Sequence, residues 1–155
     1  MEGNLIAKQA RNDTLNRRKM LSVGFALFLF SIGLALYLAE GAKYQGERVQ
    51  FTNSDTAMVS LMMRWFREIC NVPEYKFRVG LHIHNLHMRN DVEIHWSNLL
   101  KIPLNQFYKT QVKQSTLGQR RNILYDGTCA VIVNDKNLFR RIMGWRIGLY
   151  ENFKI

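Results

Sequence analysis

The chain is predicted to fold as an α+β domain whose sheet has one apolar and one basic face. Three observations carry this. Short segments alternate apolar and polar residues in the manner of half-buried strands, most cleanly at 76–84 (KFRVGLHIH). Other segments repeat apolar residues at helical spacing, as in DTAMVSLMMRWFREIC. A run of twenty uncharged residues, 20–39, lies near the N-terminus.

Taken in order, residues 1–19 are polar and basic, with Lys8, Arg11, Arg17, Arg18 and Lys19, and read as an arm preceding a single domain over 20–155. The uncharged run that follows is long enough to cross a bilayer. It also carries Ser31, Ala35 and Ala39 four residues apart, with Gly24 and Gly33 elsewhere in it, so a helix here can approach another very closely. A helix apolar on all sides is a membrane span or the buried centre of a soluble protein. Residues 43–45 suggest a short extra strand turning back through Gly46.

Residues 48–52 (RVQFT) alternate, with Val49 and Phe51 on one side and Arg48, Gln50 and Thr52 on the other. Asn53-Ser54-Asp55 then supplies a helix N-cap, and Met58, Leu61, Met62, Trp65, Phe66 and Ile69 form the apolar stripe of a helix stopped at Asn71 and Pro73. In the strand 76–84, Phe77, Val79, Leu81 and Ile83 face the core, while Lys76, Arg78, Gly80, His82 and His84 face away. Gly80 inside this strand marks a bulge or a close approach of another molecule. Residues 91–102 contain a short helix ending before Pro103; 106–113 and 128–134 read as a final strand pair joined by the loop QSTLGQRRNILYDG; and 136–152 closes the chain as a helix.

Lys and Arg outnumber Asp and Glu by 22 to 12, a net charge of +10, so a polyanion is the expected partner: nucleic acid or an anionic membrane face. The two cysteines, Cys70 and Cys129, are far apart and outside any C-x-x-C spacing, which argues against a disulfide scaffold and for a reducing, cytoplasmic setting. His82 and His84 are alternate residues of one strand with no cysteine or carboxylate at ligand spacing, so phosphate or base contact suits them better than zinc.

The segment LALYLAEG, 34–41, resembles the motif of the LAGLIDADG family of homing endonucleases and their DNA-binding relatives. Leu36 falls on the motif's second leucine, and Ala39, Glu40 and Gly41 fall on its closing alanine, acid and glycine. Leu38 departs from the first aspartate, and Glu40 replaces the closing one. The following VQFTNSDTAMVSLMMRWFREIC is similar to the strand, Asn-x-Asp turn and helix that succeed the motif helix in that family. The likeness covers 20–84 closely and the last strands and helix more loosely, with the helix around Trp96 as an insertion.

The resemblance implies a LAGLIDADG-like fold with a mixed or antiparallel sheet, helices on one face and a basic face towards double-stranded DNA. One motif implies a homodimer whose motif helices pack through Ser31, Gly33, Ala35 and Ala39, so that the apolar run is buried between protein surfaces. It further implies Glu40 as a catalytic carboxylate holding Mg²⁺ for phosphodiester hydrolysis, with Lys109 or Lys113 polarising the attacking water. The expected DNA contacts are Arg48, Gln50, Lys76, Arg78, His82, His84, Lys109, Gln111, Lys113, Arg120 and Arg121. A non-cleaving transcriptional regulator shares this fold and charge. The reading from a different class is a single-pass membrane protein, although the N-terminal basic cluster would then place the basic domain across the membrane.

Overall fold

A computed structural model describes residues 22–42, 48–84, 91–113 and 126–153. The elements follow the order α1 (Ser22–Glu40), β1 (Val49–Asn53), α2 (Thr56–Glu68), β2 (Phe77–His84), α3 (Val92–Leu100), β3 (Gln111–Lys113), β4 (Thr128–Val133) and α4 (Lys136–Asn152). The architecture is therefore α+β, with four helices and a four-stranded mixed sheet in the order β1-β4-β2-β3. The arm at 1–19 and the extra strand at 43–45 lie outside the described residues, as do Arg120 and Arg121.

The strand order corrects the expected terminal pair. β4 does not pair with β3; it is inserted between β1 and β2 and runs antiparallel to both. Its sequence, TCAVIV, explains this, because five of its six residues are buried and apolar on both faces, which only a central strand tolerates. β3, with Gln111, Val112 and Lys113 all exposed, takes the edge and pairs in parallel with β2. Parallel neighbours need a crossover, and α3 provides it.

The core lies between the sheet and the helices. Val49, Phe51, Phe77, Val79, Leu81, Ile83, Cys129, Val131 and Val133 meet Val59, Met62, Met63, Trp65 and Phe66 of α2. Asp55 caps α2, its carboxylate accepting from the N–H groups of Ala57 and Met58 at 2.8 and 3.1 Å. Asp135 caps α4 by accepting from Leu138 N–H at 3.0 Å. In α4, Leu138 and Ile142 are buried, Met143 and Trp145 pack partly against the core, and Ile147 and Leu149 are exposed.

α1 packs its C-terminal half into this core. Leu29, Leu34 and Tyr37 are buried, Phe30 meets Trp145 edge-on at 5.1 Å, and Tyr37 stacks near Trp65 at 6.2 Å. The helix closes at Gly41, whose N–H donates to Tyr37 O at 2.8 Å; the chain then bridges β1 opposite Phe51. Gly41 is required by contact, since a Cβ there would stand 2.5 Å from Tyr37 O and 2.7 Å from its ring.

Candidate nucleic-acid interface

Residues of all four helices join the core on the sheet side that carries Val49, Phe51, Phe77 and Val79, and the basic strand residues lie on the other side. Strand alternation and register place its side chains in cross-strand rows. Gln50, Ile132 and Arg78 form one row; Thr52, Ala130 and Gly80 form the next; and Thr128, His82 and Gln111 form a third; in backbone register, residue 84 stands opposite Lys113. Arg48 continues the Gln50 side by alternation. None of the four strands contains Asp or Glu, so their side chains put no negative charge on this surface.

Local bonding holds several of these groups. Gln50 Nε2 donates to Thr52 Oγ1 at 3.1 Å along β1. The Arg78 guanidinium donates to the carbonyls of Tyr75 and Phe77 at 2.8 and 2.7 Å, which directs it along the end of the sheet. Gln106 Nε2 bonds the carbonyls of Glu74 and Phe77, both at 2.8 Å, and ties the short 3₁₀ turns on either side of α3 together. Lys109 and Lys113 are exposed at the β3 edge.

Lys76 leaves the predicted group. It sits in a 3₁₀ turn before β2, and its ammonium donates to Asp135 Oδ2 at 2.7 Å. That hydrogen bond raises the Lys76 pKa and, reciprocally, lowers that of Asp135. A lysine neutralised by the cap of α4 is a structural ion pair before it is a phosphate ligand.

Glu40 is exposed at the C-terminal tip of α1, beside the β1 edge. Tyr37 supports this tip by donating from its hydroxyl to Ala42 O at 2.9 Å, and burial pushes its pKa up to about 12. Lys109 and Lys113 flank the opposite edge. Four strand spacings of about 4.8 Å separate the Gly41 segment from β3, roughly 19 Å across the sheet. One chain therefore does not assemble Glu40 with either lysine.

Among the described residues no group of three or more His, Cys, Asp or Glu is clustered to hold a metal. Mg²⁺ does not require one, because it is ordinarily bound by one or two carboxylates together with substrate phosphates and water. The exposed Glu40 carboxylate is a hard oxygen donor of that kind.

The predicted helix seam divides. Ser31, Ala35 and Ala39 are exposed on the outer face of α1, next to Leu27 and Phe28, which are 63 and 62% exposed. Gly33 differs from expectation: it is buried against Trp65 and faces this chain's own core. The spacing explains the split, because Gly33 lies about 200° around a helix from Ser31 and from Ala35. Both cysteines are buried free thiols, and burial pushes the Cys70 thiol up to about 12.

Two features of the outer face went unread in the sequence. Ala130 and Ile132 form its apolar midline, buried at 2 and 6% exposure, and Tyr108 borders Gly80. The run Phe107-Tyr108-Lys109 carried the signal: Phe107 packs against the core, and Tyr108, with its N–H bonded to Val79 O at 2.8 Å, lies on the reverse. Comparisons with family models, curated proteins and solved structures give no match for this chain.

Proposed function

We propose that this chain is a LAGLIDADG-type protein that binds double-stranded DNA as a homodimer and cleaves it in a metal-dependent reaction. One observation supports this above the others. An acid-free sheet face bearing Arg78, His82, Gln50, Gln111 and Lys113 is flanked, at the β1 edge, by the exposed carboxylate of Glu40.

Arg and Gln on extended strands offer bidentate bonds to base edges, and the lysines offer charge to phosphates. The net charge of +10 gives the salt-sensitive attraction that such binding requires. The exposed stripe of Ser31, Ala35 and Ala39 supports the twofold pairing, since small residues let two helices approach closely. Pairing along that stripe would bring the Glu40 tips of both subunits towards one axis. Mg²⁺ held there would neutralise charge developing at the scissile phosphate. Glu40 holds the ion, the strand residues hold and orient the duplex, and the buried Tyr37 keeps the helix tip in place. The cytoplasmic setting accords with the buried free thiols.

The decisive experiment is incubation with random-sequence duplex DNA and Mg²⁺, comparing wild type with Glu40→Gln. The proposal expects equal binding, with cleavage by wild type alone. Binding without cleavage in both makes the protein a non-catalytic regulator; absence of binding removes the proposal.

A single-pass membrane protein is the second reading, because Ser22–Glu40 has a mean hydropathy of 2.1 and is long enough to span. The packing of Leu29, Gly33, Leu34 and Tyr37 into the core supports the soluble reading, whereas the exposed apolar residues Val23, Phe25, Leu27 and Phe28, in a helix only 22% buried, support the span. Expression without detergent separates the two: a soluble dimer opposes the span, and material extracted only by detergent supports it.

A further inference from the structure

The two ends of α1 meet different surroundings. From Leu29 onward the helix is seated on the core through Leu29, Gly33, Leu34 and Tyr37. Before that point all seven residues from Ser22 to Phe28 (SVGFALF) are exposed, and none of them is charged. Val23, Phe25, Leu27 and Phe28 are between 44 and 63% exposed. A Cβ added at Gly24 meets nothing within 4 Å, so the helix stands in open space here.

The distribution around the axis bears on what covers this end. At about 100° per residue, Val23 and Phe25 lie roughly 200° apart, on opposite flanks of the side that carries Phe28 and Ala35. A second copy paired along Ser31, Ala35 and Ala39 covers one side of the helix and leaves both flanks bare. A lipid phase covers every side. Seven helical residues rise about 10 Å, the depth to which apolar groups enter the boundary between headgroups and acyl chains.

Charge favours the same occupant. Arg17, Arg18 and Lys19 come immediately before the exposed segment, with Lys8 and Arg11 further back, against Glu2 and Asp13 alone in that stretch. Beside the apolar end, the Arg64 guanidinium lies over the Phe25 ring at 4.6 Å. Cations bordering an apolar insertion are the pattern that anionic headgroups attract.

We infer that the exposed N-terminal end of α1 docks this protein on an anionic lipid bilayer, Val23, Phe25, Leu27 and Phe28 entering the headgroup boundary and Arg17, Arg18 and Lys19 binding lipid phosphates. The attachment is peripheral: the rest of α1 stays on the core, and the sheet face proposed for DNA is left free. It stands independently of the DNA-binding reading.

The test is flotation of the full chain with vesicles of phosphatidylcholine, alone or mixed with phosphatidylglycerol. Wild type is expected to float with the anionic vesicles only and to be released by alkaline carbonate. Val23→Gln/Phe25→Gln, which lies off the pairing stripe, is expected to melt and sediment as wild type does, bind duplex DNA as wild type does, and no longer float. Arg18→Ala/Lys19→Ala leaves the core untouched and is expected to bind anionic vesicles about 25-fold more weakly, at about fivefold for each cation lost. Wild type that ignores anionic vesicles, or floats equally with neutral ones, overturns the inference, as does undiminished flotation of either variant. Resistance to carbonate assigns the helix to a span instead, and a Val23→Gln/Phe25→Gln protein that folds but loses its dimer assigns this end to the second copy; each overturns the inference. Absence of duplex binding by wild type removes the DNA-binding reading and leaves the flotation result to stand by itself.

Discussion

Gly33 and Trp65 are in direct apposition: a Cβ on residue 33 would lie 2.0 Å from Trp65 Cδ1 and 2.5 Å from its Nε1. The indole is fully buried and wedged by Tyr37, Phe66 and Trp145, so it has no room to withdraw. Glycine at this point lets α1 seat on α2, and that seating carries Glu40 to the edge of the sheet. Gly33→Ala should overpack the core and cost about 1–3 kcal/mol or more. Chemical denaturation will show it as a lower midpoint, and an unchanged midpoint would mean that the two helices separate freely.

The glycines of α4 should behave in the opposite way. Added carbons at Gly144 and Gly148 meet nothing within 4 Å. Alanine there removes backbone freedom from the unfolded chain without a clash, so Gly144→Ala or Gly148→Ala should stabilise by roughly 0.5–1 kcal/mol. A rise in melting temperature checks this.

Placing a charge on the outer stripe of α1 tests the pairing surface without touching the core. Ala35 is exposed, so Ala35→Glu should leave the far-ultraviolet circular dichroism and melting of the monomeric fold intact. Sedimentation should move from dimer to monomer, and duplex affinity should fall with it. A dimer that survives Ala35→Glu places the twofold contact elsewhere.

Two lysines expected to serve DNA should separate in their salt dependence. Lys113 is exposed at the β3 edge, and Lys113→Ala, which removes one lysine from each subunit of the proposed dimer, should lower the slope of log affinity against log salt by about 2. Lys76 already pairs with Asp135, so Lys76→Ala should lower stability and leave that slope unchanged. Equal slope changes would put Lys76 on the duplex after all.

The same pair predicts a pH dependence. The Lys76 hydrogen bond, with help from Leu138 N–H, holds Asp135 below its usual 3.8. Its contribution is full above that value and is lost as pH falls through the lowered folded one. Lys76, raised above 10.5, contributes fully below that pH and loses its part as pH rises through the raised value. Asp135→Asn keeps a capping oxygen but drops the charge, so melting curves at decreasing pH should decline less steeply for the variant than for wild type.

Much of this was open to reading along the chain. The succession of helices and strands follows the two periodicities, and the Asp55 cap and the basic reverse of β2 follow from composition and alternation. The stop of α1 at Gly41 was marked by the acid and glycine of its motif. Gly33 could not be assigned a side: a one-dimensional tally of small residues does not say which of two neighbouring helices each one faces. Lys76 was equally illegible, because alternation extended one residue too far places it on the sheet, whereas a 3₁₀ turn swings it to Asp135.

Local pattern reaches as far as element type, the apolar and basic faces, and the closeness with which α1 can be approached, since all of these depend on residues a few positions apart. Strand order and the gulf between Glu40 and the lysines of the β3 edge depend on pairings between segments some fifty residues distant, as between Gly80 and Ala130. Those pairings are chosen by burial. TCAVIV is apolar on both faces and must be enclosed by strands on either side, which sends the exposed, polar QVK to the rim and sets every cross-strand row that the proposed DNA face displays.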